Sequence, residues 1–116
     1  WCYASINEVK NNFKKFGLEN RAQFVEGDIL KTLDIKDNIP NNISLLRLDT
    51  DWYESTKKEM DILYPRLEIG GVLLIDDYGH WKGSRKAVDE YLFENKLENC
   101  SLIWKTDYSG RGLIKN

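Results

Sequence analysis

Five aspartates stand at the ends of short, mostly apolar runs in this chain: Asp28 in Glu26-Gly27-Asp28, Asp49 and Asp51 after residues 43–48, and Asp76 with Asp77 after residues 72–75. Carboxylates gathered on one rim repel one another until a cation joins them, and oxygen ligands suit a hard divalent ion such as Mg2+. Two adjacent acids after a fully apolar run are costly without a partner. Asp49, Asp76 and Asp77 are therefore the candidate metal ligands, while Asp28 alone reads equally well as a helix cap. His80, the single histidine, follows the acid pair in Tyr78-Gly79-His80-Trp81-Lys82-Gly83. That position makes it a candidate general base or substrate contact, although a lone loop histidine is often inert. Trp52 and Trp81 follow the two acidic stretches, and read either as the floor of a pocket for a flat or sugar-like substrate or as packing residues.

These side chains need a scaffold. Ser5-Ile6-Asn7-Glu8 has the form of a capping box, apolar residues recur at helical spacing through Phe16, and Gly17 suits a helix end, so residues 5–16 are predicted helical. Residues 22–25 are predicted as a short strand, 29–33 as a helical turn, 43–48 as a buried parallel strand, 55–64 as a helix and 72–75 as a second buried strand. Pro65 and Gly70-Gly71 are expected to end the preceding helix and turn the chain. A helix over 84–94 and a closing hairpin, Leu102-Ile103-Trp104 with Gly112-Leu113-Ile114, complete the series. The alternation predicts an α/β fold with a mainly parallel sheet, helices on both faces and an antiparallel C-terminal hairpin. In such sheets ligands bind at the carboxyl ends of the strands, where the aspartates fall.

The bulk numbers exclude several function classes. The chain has 116 residues, 41% hydrophobic and 31% charged, with a formal net charge of −2, which offers no field to attract nucleic acid or an acidic membrane. No stretch approaches the roughly 18–20 apolar residues of a membrane span. Two cysteines, Cys2 and Cys100, make no disulfide framework, so a reducing, cytoplasmic setting is expected. The chain starts at Trp1 and its one methionine is Met60, so it is read as a piece of a longer protein. The sequence leaves the oligomeric state open and allows a homo-oligomer.

The blocks Leu46-Arg47-Leu48-Asp49-Thr50-Asp51-Trp52-Tyr53-Glu54-Ser55-Thr56, Leu63-Tyr64-Pro65-Arg66-Leu67 and Gly70-Gly71-Val72-Leu73-Leu74-Ile75-Asp76-Asp77-Tyr78 resemble the TylF-like macrocin O-methyltransferases. The stretch from Gly79-His80-Trp81-Lys82-Gly83 to Tyr91 continues the likeness, which covers residues 43–92, and residues 1–30 are compatible with it. The resemblance implies a Rossmann-like class I methyltransferase fold, with residues 1–116 its C-terminal part and its N-terminal strands missing. It implies S-adenosylmethionine as methyl donor, Mg2+ in the site and a small hydroxylated acceptor such as a sugar on a natural product. By position it assigns Asp49, Asp76 and Asp77 to the metal, Asp49 or His80 to proton removal, and Asp28 and Asp51 to the cofactor. The glycine-rich loop and ribose-binding acid of such enzymes are absent from these residues, so the fragment alone is expected to bind the cofactor weakly or not at all.

Three alternatives are weighed against this. A haloacid-dehalogenase-type phosphatase also has an Asp-x-Asp after a strand, but its motif wants Thr or Val where Tyr53 stands. A receiver domain carries its acid pair on the first strand, not late in the chain. A degenerate methyltransferase-fold module, binding without catalysis, shares every residue pattern above.

Overall fold

The computed structural model of the chain describes residues 4–97 and 104–116. Cys2, Cys100 and the Leu102-Ile103 part of the predicted last strand pair lie outside the described residues.

Helix α1 spans Ile6–Lys15. The Ser5 hydroxyl accepts the Glu8 N–H (3.2 Å) and the Glu8 carboxylate accepts the Ser5 N–H (2.7 Å), completing the capping box. At its other end Gly17 (φ +66) lets the Leu18 N–H reach back to the Phe13 carbonyl and the Gly17 N–H to that of Lys14, a glycine-dependent Schellman closure. Residues 22–25 do not form the predicted strand. The backbone is extended at Ala22, but a strand needs a ladder partner and none lies beside it among the described residues. Phe24 packs edge-on against Phe13 instead, ring centroids 5.1 Å apart. Asp28 caps the single-turn helix α2 (Ile29–Thr32), accepting the Leu30 N–H at 3.0 Å.

Strand β1 (Ile43–Leu48) leads through α3 (Tyr53–Leu63) to β2 (Leu67–Ile75), which runs parallel to β1. Gly70-Gly71 does not turn the chain as expected. The glycines sit inside β2 as an irregularity: Ile43 faces Leu67 but Leu45 already faces Val72. Gly70 takes φ +79, and a Cβ on Gly71 would stand 2.8 Å from the Glu68 carbonyl, so the excursion depends on both. Helix α4 (Lys82–Glu94) follows, then β3 (Trp104–Lys105) and β4 (Arg111–Ile114) as the expected antiparallel hairpin.

The four described strands are ordered β1-β2-β4-β3, with β4 antiparallel to β2. Strands β1, β2 and β3 therefore run in one direction and β4, inserted between β2 and β3, runs against them, which is the expected mostly parallel sheet with one late antiparallel strand. Leu46, Leu48, Leu73, Ile75 and Leu113 form its buried face, sealed by Met60 and Tyr64 near the end of α3 and by Val88, Tyr91 and Leu92 of α4. Of the helices expected on both faces, α3 and α4 cover this one. The other face is largely open, with Leu45 59% and Ile114 46% exposed. Each buried aliphatic contributes about 1.5–3 kcal/mol, so the parallel pair and the loops at its carboxyl end rest on the firmest part of the molecule.

Candidate metal centre

Leu48 lies opposite Ile75 in the parallel ladder, and one more bond follows: the Asp76 N–H donates to the Leu48 carbonyl at 2.9 Å. Asp49 and Asp76 therefore leave the sheet from neighbouring backbone positions, with Asp77 one residue on. One carboxylate oxygen from each of Asp49, Asp76 and Asp77 lies within 4.8 Å of the other two. Opposite ligands of a Mg2+ ion are about 4.2 Å apart, so small side-chain rotations suffice to bring three oxygens onto one ion. Asp77 Oδ2 is buried with no hydrogen-bond partner, an arrangement that costs about 1–3 kcal/mol unless something binds it. Burial, the close approach of the Asp51 carboxyl, and repulsion from Asp51, Asp49 and Asp76 push Asp77 up to about 7. Hard, anionic, convergent oxygens with one orphaned acceptor fit a divalent cation.

A cation already touches this cluster. Arg47, on β1, places its Nη2 3.0 Å from Asp49 and 2.8 Å from Asp76, with all three side chains about half exposed.

The loop after β1 is held from below by α3. The Trp52 N–H donates to the Thr50 carbonyl at 2.6 Å across Asp51, whose φ of 60° lies in the left-handed region, a tight three-residue turn. The Ser55 hydroxyl donates to the carbonyls of Thr50 and Trp52, both at 3.1 Å. The Thr50 hydroxyl donates to Glu59 Oε2 at 2.7 Å. Glu59 is 4% exposed; burial pushes it up to about 7, against the lowering effect of the Thr50 hydrogen bond and with a smaller upward push from Asp49.

After β2 the chain turns back on Asp77, whose carbonyl accepts the N–H groups of His80 (3.0 Å) and Trp81 (2.8 Å). The exposed His80 ring stands edge-on to Trp81 at 5.0 Å, and Trp81 meets Trp52 at 5.7 Å. The two tryptophans thus join the two acidic loops. Gly79 donates its N–H to the Ser109 carbonyl at 2.7 Å, docking the β3–β4 loop on the same rim.

The expected site residues are only partly gathered. Asp49, Asp76 and Asp77 converge, and Asp51, expected at the cofactor, meets Asp77. Asp28 lies apart from them, lining an open pocket of about 440 Å3 together with Ile29, Leu30, Thr50, Trp52, Glu54 and Ser55. Arg47, Ser55 and Glu59 escaped the sequence reading. The one available signal was Glu59 itself, an acid beside Met60 on the helix side that otherwise faces the core.

The sequence profile of the macrocin O-methyltransferase (TylF) family matches residues 2–110. The chain belongs to this family. Its relatives in the family include demethyldecarbamoylnovobiocin O-methyltransferase of Streptomyces niveus, 36% identical over 91 residues, covering 75% of this chain and 33% of that enzyme. Another is the 8-demethyl-8-(2,3-dimethoxy-alpha-L-rhamnosyl)-tetracenomycin-C 4'-O-methyltransferase of Streptomyces olivaceus, 35% identical over 121 residues, covering 93% of this chain and 44% of that one. Among solved structures, the O-methyltransferase NovP superposes with a TM-score of 0.88 at 30% identity, over 97% of this chain and 46% of its own. The TDP-rhamnose 3'-O-methyltransferase CalS11 shares the fold, with a TM-score of 0.67 at 20% identity over 94% of this chain and 50% of its own. The chain spans a third to a half of the length of these TylF-family and fold relatives. Membership sets aside the phosphatase and receiver alternatives and identifies the sheet as part of a Rossmann-like class I methyltransferase fold. Among the described residues no helix is long and apolar enough to cross a membrane.

Proposed function

We propose that this chain carries the metal- and acceptor-facing portion of an S-adenosylmethionine-dependent, Mg2+-assisted O-methyltransferase acting on a hydroxyl of a sugar or other small natural product. The observation that carries the reading is the convergence of Asp49, Asp76 and Asp77 from two adjacent strand ends with Asp77 Oδ2 left without a partner. The relative named for 4'-O-methylation of a rhamnosyl-tetracenomycin supports the acceptor class. The setting is cytoplasmic, where Cys2 and Cys100 remain thiols.

Asp49, Asp76 and Asp77 would hold the divalent ion, which supplies charge to lower the pKa of an acceptor hydroxyl. Asp77 must release its proton to act as a ligand, so occupancy rises with pH through about 7. His80, exposed on the turn that folds over Asp77, or Asp49 takes the proton as the acceptor oxygen bonds to the methyl carbon and the carbon–sulfur bond breaks. Trp52 and Trp81 together form an apolar wall across the two loops that limits water beside the acceptor. The pocket at Asp28 would offer apolar walls from Ile29, Leu30 and Trp52 to the adenosine part of the cofactor, and Asp28 and Asp51 would help to bind it.

The test uses the complete protein that contains this chain. Asp76→Asn with Asp77→Asn should abolish turnover of hydroxylated acceptors while circular dichroism and calorimetric binding of S-adenosylmethionine stay as in wild type. Full activity of the double variant defeats the metal assignment. Failure of the folded wild type to bind S-adenosylmethionine favours the non-catalytic module.

A further inference from the structure

The acid cluster has an internal competitor for its cation. Arg47 bridges Asp49 at 3.0 Å and Asp76 at 2.8 Å, two of the three carboxylates with oxygens close enough to share an ion. Its guanidinium and a divalent ion cannot both take the same lone pairs. It also reaches only two of the acids, since Asp77 Oδ2 keeps no partner. The arginine therefore neutralises the outer part of the cluster and leaves the inner oxygen to something else.

We propose that Arg47 sets the affinity of the site for its divalent cation, pairing with Asp49 and Asp76 and yielding them when the ion enters. The inference rests on the metal reading above and adds to it a residue that is not itself a ligand. Arg47 is a positioning residue in this account. It sits on β1, two residues before Asp49, so it cannot leave the neighbourhood, and its side chain is about half exposed, so it has solvent to swing into. Each exposed ion pair is worth about 1.4- to 5-fold in an equilibrium constant. Removing both pairs should tighten cation binding by about 2- to 30-fold.

The experiment titrates Mn2+ alone, as a paramagnetic substitute for Mg2+, into the complete protein and reads bound ion by electron paramagnetic resonance, with Mg2+ competition as a second reading. Arg47→Gln and Arg47→Met should bind Mn2+ about 2- to 30-fold more tightly than wild type, and Arg47→Lys should stay nearer to wild type than either, because an ammonium still pairs. In chelator both neutral variants should melt lower than wild type, and the difference should narrow as Mn2+ is added. A purely structural arginine would lower the melting temperature without tightening the ion. Equal or weaker Mn2+ binding by folded Arg47→Gln and Arg47→Met overturns the inference and leaves the metal reading standing. No Mn2+ binding by wild type or by any variant removes the metal reading, and the inference with it.

Discussion

Replacing Glu59 by glutamine keeps the side chain's shape and an acceptor for the Thr50 hydroxyl, and removes only the ionisable proton. Glu59 is 4% exposed on α3 and is raised from 4.5 to about 7, chiefly by burial. For a carboxyl raised on folding, the native state binds the proton more tightly than the unfolded chain. That contribution is present in full below about pH 4.5 and is lost as pH rises to about 7. The shift corresponds to at most about 3 kcal/mol, and local relaxation with water entry reduces it to about 1–2 kcal/mol. Glu59→Gln should match wild type near pH 4.5, gain on it through neutrality and hold a constant advantage of a few degrees in melting temperature above about pH 8. The assay is thermal and urea unfolding of both proteins across that range in chelator, taken as the difference between them so that the similar titration of Asp77 cancels. A difference that stays flat with pH, or that shrinks as pH rises, would show that Glu59 is ionised in place and refute the burial argument.

Two glycines give further tests. A Cβ on Gly79 would stand 2.9 Å from the backbone carbonyls of both Tyr108 and Ser109, so Gly79→Ala should push the β3–β4 loop off the rim, cost about 1–3 kcal/mol and lower turnover; unchanged melting and kinetics would contradict the docking. A Cβ on Gly112 would lie 2.5 Å from the Trp104 ring, so Gly112→Ala should displace that ring, at a similar cost. Tryptophan fluorescence of Gly112→Ala should shift relative to wild type, and an unshifted spectrum would place Trp104 elsewhere.

What could be read in advance follows the range of the interaction. The capping box of Ser5 and Glu8 and the Gly17 closure involve neighbours three to five residues apart, and both formed as expected. The acids Asp49, Asp76 and Asp77 were legible because each ends an apolar run, and the ends of parallel strands share a rim. Residues 22–25 have a strand's composition, yet pairing is decided by what lies alongside, and composition carries no record of that. Gly70-Gly71 reads as a turn because glycine permits both a turn and an irregular strand. Only the ladder with β1 and the bonds to Lys115 (Gly70 N–H to its carbonyl, its N–H to that of Gly71) distinguish them. Arg47 and Glu59 were missed for a related reason. A charged residue in a strand or helix looks like a solvated one until the fold shows whether it faces water, an acid pair or a buried hydroxyl.

The bond from the Asp76 N–H to the Leu48 carbonyl has a consequence for how such a protein can change over time. Neighbouring strands stand about 4.7–4.9 Å apart whatever side chains they carry, because peptide hydrogen bonding sets that gauge. The separation of the points from which Asp49 and Asp76 depart is thus a dimension of the main chain. Substitutions beneath the sheet can alter stability by several kcal/mol without altering this dimension. The protein can then exchange most of its interior and reshape its acceptor loops while the two acids keep their measure, as long as the last rung of the ladder closes.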